Sequence, residues 1–208
     1  ADDASVMTAI LDGGGTGDGR FGEWADEWFL ERMICRVRRK AERRLRADVG
    51  ARLRTPRLRV CMLGGAAIGP MLDLALERLR ERDLEGLVIT CIDPDPETLR
   101  ELGSEADRCG VGSAFRFVRA NVAESAPGGE AGDDEVGMRP QDLIIGFAQL
   151  DRLDESGARN MLAWAARMQA KDGTCWFDAT DRPLEDFAFL RYLLRWPLRP
   201  RTAEELAA

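Results

Sequence analysis

The stretch Leu58-Arg-Val-Cys-Met-Leu-Gly-Gly-Ala-Ala-Ile-Gly-Pro70 decides how the rest of the chain is read. An apolar run, Val60 to Leu63, enters two glycines, a turn of small residues, a third glycine and a proline. The amphipathic segment Met71 to Arg82 follows at once. That order predicts a buried strand, a tight turn and a helix start. Small residues let the backbone approach a ligand closely. Pro70 suits the first helical position, where no amide donor is needed. The free N–H groups of that first turn would face the ligand.

Downstream, apolar runs alternate with helical periodicity. Leu87-Val-Ile-Thr-Cys-Ile92 is nearly continuous in apolar residues and ends in Asp93-Pro-Asp-Pro-Glu97. A helix from Glu97 to about Cys109 closes at Gly110, and a third strand, Ala114 to Val118, leads to Arg119-Ala-Asn-Val122. Ser125 to Pro140 is rich in Gly, Pro and acids, and reads as a loop or disordered insert. Asp142-Leu-Ile-Ile-Gly-Phe147 is a fourth strand that runs into Ala148-Gln-Leu-Asp151. A helix from Asp154 to Ala170, with Ser156 and acidic residues at its start, suits a helix N-terminus. The turn Lys171-Asp-Gly173, a fifth strand Thr174 to Ala179 and an apolar helix Leu184 to Leu194 complete the series, before a last helical start at Thr202 to Ala208. Strands this uniformly apolar fit a parallel sheet covered on both faces. Alternating strands and helices predict an α/β sandwich with right-handed crossovers.

Upstream, residues 1–20 are small, acidic and Gly-rich and read as a flexible tail. The run Asp12-Gly-Gly-Gly-Thr-Gly-Asp-Gly19 has neither a preceding strand nor a P-loop lysine, so a phosphate loop is set aside. Residues 21–55 form an N-terminal helical segment. From Phe21 to Val49, Trp24, Trp28, Phe29, Met33, Ile34 and Val37 recur at three- and four-residue steps, predicting one apolar face. Its later part is basic, with Arg36, Arg38, Arg39, Lys40, Arg43, Arg44 and Arg46. No aromatic residues interleave this run, so it reads as a solvated face rather than a patch for RNA or another anion. Residues 56–208 form the α/β domain.

The 208 residues allow one domain with a sizeable core. An apolar fraction of 45% with 32% charged residues is that of a globular protein in water. A net charge of −7 disfavours general nucleic-acid binding. No apolar run reaches the length that spans a bilayer, and Ala1-Asp2-Asp3 does not open a signal peptide. The missing initiator Met implies processing or a cut chain. Five scattered cysteines, three of them inside apolar runs, read as reduced core thiols of a cytoplasmic protein. There is no His, which removes the commonest general base and metal ligand, and no metal site is expected.

In open parallel sheets, ligands bind beyond the carboxyl ends of the strands. That rule selects the loops at 63–69, 93–96, 120–123 and 147–151. Asp93, at the tip of the second strand, is placed to accept hydrogen bonds from ribose hydroxyls. It follows Gly64 by 29 residues, a longer gap than the roughly 20 of dinucleotide folds. No Gly-x-Gly-x-x-Gly is present, so a nicotinamide-dependent oxidoreductase is disfavoured.

With those loops placed, residues 56 to 208 resemble the class I S-adenosylmethionine-dependent methyltransferases. The resemblance rests on Val60-Cys-Met-Leu-Gly-Gly-Ala-Ala-Ile-Gly69 as motif I and Val88-Ile-Thr-Cys-Ile-Asp-Pro-Asp-Pro-Glu-Thr-Leu99 as the second-strand motif. Phe117-Val-Arg-Ala-Asn-Val122, Asp142-Leu-Ile-Ile-Gly-Phe-Ala-Gln-Leu150 and Lys171-Asp-Gly-Thr-Cys-Trp-Phe177 follow in family order. It implies a Rossmann-like three-layer α/β sandwich with a mainly parallel sheet of about five strands. It implies S-adenosylmethionine as cofactor, with its methionine near Gly64 and Gly65, its ribose on Asp93 and its adenine beside Pro94, Asn121 and Val122. The implied binding set is Leu63, Gly64, Gly65, Ala66, Asp93, Pro94, Asn121, Val122 and Phe147. Phe147 and Gln149 would face the methyl acceptor, a small molecule.

Motif I in the family is acid-x-Gly-x-Gly-x-Gly. Here Met62 stands at the acid, and Ala66 and Ile68 at the later glycines. The alternative this opens is a non-catalytic methyltransferase-like binding or regulatory domain. The family sheet usually ends in an antiparallel strand pair, which has no counterpart before Ala208. A chain cut at its C-terminus, or an open edge covered by another subunit in a homo-oligomer, is expected. Asp151, Asp178 and Asp181 lie near strand ends. They could orient an amine or hydroxyl acceptor, but Asp is also favoured there as a cap or turn residue.

Overall fold

The apolar runs form five strands: β1 (Leu58–Leu63), β2 (Leu87–Asp93), β3 (Phe115–Arg119), β4 (Gln141–Gly146) and β5 (Gln169–Phe177). All pair in parallel, in the order β3-β2-β1-β4-β5. The computed structural model describes residues 3–14, 17–124, 138–181, 187–193 and 198–207. Most of the expected insert at 125–140, and both ends of the expected helix at 184–194, lie outside these residues. Within the latter, Phe189–Leu193 form a π-helical turn.

Seven α-helices are described. They are α1 (Asp3–Asp12), α2 (Gly19–Leu30), α3 (Met33–Gly50), α4 (Ile68–Arg80), α5 (Pro96–Arg108), α6 (Glu155–Met168) and the short α7 (Ala203–Ala207). Two aspartates set helix starts. Asp95 accepts the Glu97 N–H at 3.0 Å ahead of α5, with Pro96 as its first residue. Asp154 accepts the Gly157 N–H at 2.7 Å ahead of α6, and Ser156 donates to the same oxygen. A carboxylate at this position satisfies a donor that has no partner within the helix.

Alternation along the strands divides the core in two. Val60, Met62, Ile89, Cys91, Leu143 and Ile145 point to the face covered by α1, α3, α4 and α5. Cys61, Leu63, Ile92 and Ile144 point to the other face, where Met161, Trp164, Ala165 and Met168 of α6 close on them. Cys61 and Cys91 are buried, and burial pushes both thiols well above their ordinary value. None of the five cysteines forms a disulfide. Among the described residues no helix is long and apolar enough to cross a membrane.

The N-terminal third departs from expectation. Residues 3–12 are a helix and not a flexible tail. Met7 and Ile10 are buried in the main cluster with Ile34, Leu45 and Leu58, because α3 and the β1–α4 turn offer apolar surface that a short amphipathic segment can cover. The single helix expected over 21–49 is two, parted at Glu31–Arg32. Only part of the expected apolar face is buried: Ile34 lies in the main cluster and Phe29 packs against it. Phe21 and Trp24 are 77% and 59% exposed, and Met33 and Val37 are also exposed. On α3 the buried stripe is Ile34, Cys35, Arg38, Glu42, Leu45 and Val49, so two charged residues sit on the inward face.

The basic run is correspondingly divided. Arg38 is buried, and Arg39 donates to the carbonyls of Ile10 and Leu30, tying α1 and α2 to α3. Arg46 pairs with Glu42 and Asp73. Arg36, Lys40, Arg43 and Arg44 are exposed, as a solvated face requires. The turn expected at Lys171–Gly173 is a bulge within β5. Gln141 pairs with Gln169 and Leu143 with Thr174, so residues 170–173 loop out of the ladder. A Cβ at Gly173 would lie 2.7 Å from the Gln141 carbonyl oxygen, which keeps that corner to glycine.

Candidate functional site

The chain leaves β1 for β2 on one side and returns to β4 on the other, so a crevice opens between the ends of β1 and β4. Hydrogen bonds continue the ladders past the strand ends. The Gly64 N–H donates to the Ile92 carbonyl at 2.9 Å, and the Ala120 N–H donates to the Asp93 carbonyl at 3.3 Å. Gly64, Asp93 and Ala120–Asn121 therefore sit side by side. The pairing of Met62 with Ile145, carried two residues on, sets Phe147 level with Gly64.

Gly64 has φ 77° and ψ 165°, a region essentially closed to residues with a Cβ. A Cβ built there would fall on the side-chain amide of Gln149. The chain next makes one 3-10 turn, Gly65–Ala67, and enters α4 at Ile68. Pro70 is thus the third helical residue and not the first, still within the turn whose N–H groups lack helical partners.

The remaining expected residues divide by exposure. Asp93 is half-buried, and its Oδ1 accepts the Asp95 N–H at 2.9 Å across exposed Pro94. Burial, the largest influence, raises its carboxyl above the ordinary value. Oδ2 adds acceptor capacity beside the turn. Asn121 is half-buried, with Oδ1 accepting the Ala123 N–H at 3.2 Å. Gly65 and Ala66 are half-buried in the turn. Leu63 and Val122 are buried in the cluster beneath α6. Phe147 is fully buried against Trp176, with ring centroids 5.9 Å apart. Its ring belongs to the core, which leaves only its backbone to face a ligand. Met62 is also fully buried.

The loop after β4 is held from behind. Ala148 adopts φ 57° and donates its N–H to Asp178 Oδ1 at 2.6 Å. Asp151 is 0% exposed. It accepts Thr180 N–H at 2.9 Å, Thr180 Oγ1 at 2.7 Å and Arg38 Nη2 at 2.6 Å. Arg38 Nη1 also pairs with Asp178. Asp151 is thus a structural carboxylate and reaches no acceptor. Burial raises the Asp178 carboxyl, and nearby Asp151 adds to that, against the pull of Arg38 and the Ala148 N–H. Arg201 closes the back of the same loop with bonds to the carbonyls of Leu150 and Leu153. Asp181 is exposed.

Arg38 is the residue that sequence reasoning misplaced. Its signal was present: Ile34, Arg38, Glu42, Leu45 and Val49 keep helical spacing. A charged residue within such a stripe is hard to tell from one beside it without the partner carboxylates.

On the outer side of the glycine turn lies a cavity of about 180 Å³, lined by Met7 and Leu11 of α1, Arg46, Gly65, Gly69 and Glu105 among others. No cluster of metal-ligating side chains exists among the described residues. The crevice offers the first-turn backbone of α4, a carboxylate at the second strand tip and, beneath the Gln149 side chain, the Gly64 backbone. Such a set suits a ligand that brings its own reactive group.

No protein-family model matches the chain, and no curated protein sequence matches it. Solved structures match in fold. Magnesium protoporphyrin IX methyltransferase (ChlM) of Synechocystis PCC 6803 with bound SAM aligns over 99% of this chain and 83% of its own, with TM-score 0.58 and 15% identity. A possible exported protein of Bordetella parapertussis aligns over 100% of this chain and 70% of its own, with TM-score 0.65 and 14% identity. An O-methyltransferase family protein of Burkholderia thailandensis aligns with TM-score 0.53 and 16% identity. The match covers 90% of this chain and 54% of that protein, so this chain spans about half of its length. The strand order, the glycine turn beside Asp93 and these likenesses show that the chain has the Rossmann-like fold of the class I S-adenosylmethionine-dependent methyltransferases.

Proposed function

We propose that the chain catalyses S-adenosylmethionine-dependent methyl transfer to a small-molecule acceptor, in the cytoplasm. The observation that carries this reading is the Gly64 turn, hydrogen-bonded beside the Asp93 tip of β2 and covered by the end of the flexible Gln149 side chain. Gly64 would admit the cofactor's methionine portion once the flexible Gln149 amide swings aside, and Asp93 keeps an oxygen for the vicinal hydroxyls of the ribose. The ChlM structures, one with SAM and one with SAH bound, support the same ligand class.

When bound, S-adenosylmethionine supplies an electrophilic sulfonium methyl. The glycine turn and Asp93 would hold the donor, Asn121 and Pro94 would flank its base, and Gln149 would stand on the acceptor side. Holding donor and acceptor in line can supply on the order of 7–11 kcal/mol of the barrier at best. That suits a chain with no His and with its core thiols kept protonated.

Met62 favours a second reading. Where the family carries an acid toward the cofactor, this chain carries a side chain sealed in the core, and a domain that binds without turnover is the result to weigh. Isothermal titration with S-adenosylmethionine, S-adenosylhomocysteine and NAD separates the readings. Heat with the first two alone is expected, and Asp93→Ala should weaken binding by about 1–3 kcal/mol, the scale of a lost buried polar partner. No heat with either adenosyl ligand would sink the methyl-transfer reading. Binding without S-adenosylhomocysteine formation from a mixture of small metabolites would leave the non-catalytic domain.

A further inference from the structure

We infer that Arg38 is a positioning residue for the candidate site: through Asp178 it sets the loop after β4, and with it the Gln149 amide that covers Gly64. The link runs through named contacts. Arg38 is 1% exposed on α3, well before the α/β domain begins in sequence. Its two terminal nitrogens reach two different loops, Nη2 to Asp151 after β4 and Nη1 to Asp178 after β5. Asp178 then accepts the N–H of Ala148 at 2.6 Å.

Ala148 needs that hold. With φ 57° it sits where a Cβ is disfavoured. An outlier of this kind persists only when its surroundings over-determine it. The next residue is Gln149, whose amide lies where a Gly64 side chain would be and whose Nε2 donates to the Phe147 carbonyl at 3.4 Å. Asp151 serves a different part of the assembly. It holds Thr180 by two hydrogen bonds, and its own carbonyl accepts the Arg199 N–H at 2.7 Å. One guanidinium thus fixes the ends of β4 and β5 against each other.

Two features separate this from ordinary packing. A planar guanidinium can serve two carboxylates at once in a fixed geometry, which lysine cannot. The buried Nε of Arg38 has no partner, so the side chain is oriented for the two loops at the expense of its own third donor. The consequence for a ligand at Gly64 rests on the methyl-transfer reading. The consequence for the loop does not.

Hydrogen exchange on the full chain tests the loop, and titration with S-adenosylhomocysteine tests the ligand. Arg38→Gln should speed exchange of the Ala148 amide by about 10- to 100-fold, the equilibrium equivalent of a charge-assisted hydrogen bond. The β1 and β2 amides should keep their wild-type protection. Asp178→Ala should reproduce that pattern. Asp151→Ala should instead loosen Thr180 more than Ala148. Arg38→Lys, which keeps the charge but not the fork, should fall between wild type and Arg38→Gln. If Arg38→Gln does not fold, Asp178→Ala and Arg38→Lys decide the same question. Local protection unchanged at Ala148 in a folded Asp178→Ala variant overturns the proposal. So does a loss spread evenly over all strands, which would be plain destabilisation. Where wild type binds S-adenosylhomocysteine, Arg38→Gln should weaken it at least about fivefold, with Arg38→Lys partly restored. If wild type does not bind, methyl transfer fails as a reading and the exchange pattern still judges Arg38.

Discussion

At the scale of single residues, the site depends on two backbone positions with positive φ that have different causes. Gly64 at φ 77° is a residue suited to its conformation, whereas Ala148 at φ 57° is one held there by its neighbours. Gly64→Ala should destabilise the fold by about 1–3 kcal/mol through backbone strain. The steric part is smaller, because the group in the way is the end of the flexible Gln149 side chain. Urea midpoints read this directly, and an unshifted midpoint would mean that the turn relaxes to a conformation open to alanine. The carboxylates show the same division. Asp93 lies half-buried beside the turn, while Asp151, equally a strand-end aspartate in the sequence, is locked in the core by Thr180 and Arg38.

Among the elements, α1 is a peripheral helix docked by few side chains. It touches α3 and the glycine turn, with Met7 and Ile10 as its buried anchors. In a central element, loss of a side chain like Ile10 costs about 2–5 kcal/mol. Here the penalty is capped by the energy of docking α1, since a peripheral helix can open without the rest. Ile10→Ala should therefore accelerate exchange of α1 amides while the β1 and β2 amides stay protected. Loss of protection throughout the sheet would show that α1 is part of the cooperative core. The α2 helix is a related case. None of its residues is buried, and its Phe21 and Trp24 rings lie exposed at 6.0 Å, so its sequence amphipathicity overstates its share of the core.

For the molecule as a whole, buried carboxyls give stability a pH dependence of definite sign. Asp178 and Asp93 both have folded values raised above the ordinary 3.8, chiefly by burial. Between 3.8 and the raised values the folded state binds more protons than the unfolded one. Their contribution therefore falls as pH rises through that window and is level above it. The exposed caps Asp95 and Asp154 are lowered by backbone N–H bonds and act in the opposite sense below 3.8. Wild type should accordingly gain stability relative to Asp178→Asn as pH is lowered from about 7 toward about 4, read as urea midpoints at fixed m-value. A constant difference across that range would place Asp178 at its ordinary value.

Much of the α/β part was legible in the sequence because its causes are local. Val60–Leu63, Leu87–Ile92 and Leu143–Ile145 are apolar on both faces, so a parallel sheet buried on both sides follows. Small residues at Gly64–Ala67 and the Asp-Pro pairs after Ile92 mark the turn and the helix start by their own conformational limits. The candidate residues on the β1 and β2 loops were legible for the same reason. The sequence could not say which face of α3 turns inward, since Met33 and Val37 offer as good a stripe as Ile34, Leu45 and Val49 until Arg38 finds two carboxylates more than a hundred residues away. Nor could it separate Asp151 from Asp93, or show that Phe147 spends its ring on Trp176. By itself the sequence determined the strands, the glycine turn and the position of Asp93. Tertiary structure alone decided which charges are buried and what holds the loop after β4, because a charge is accepted inside only where distant segments bring its partners to it.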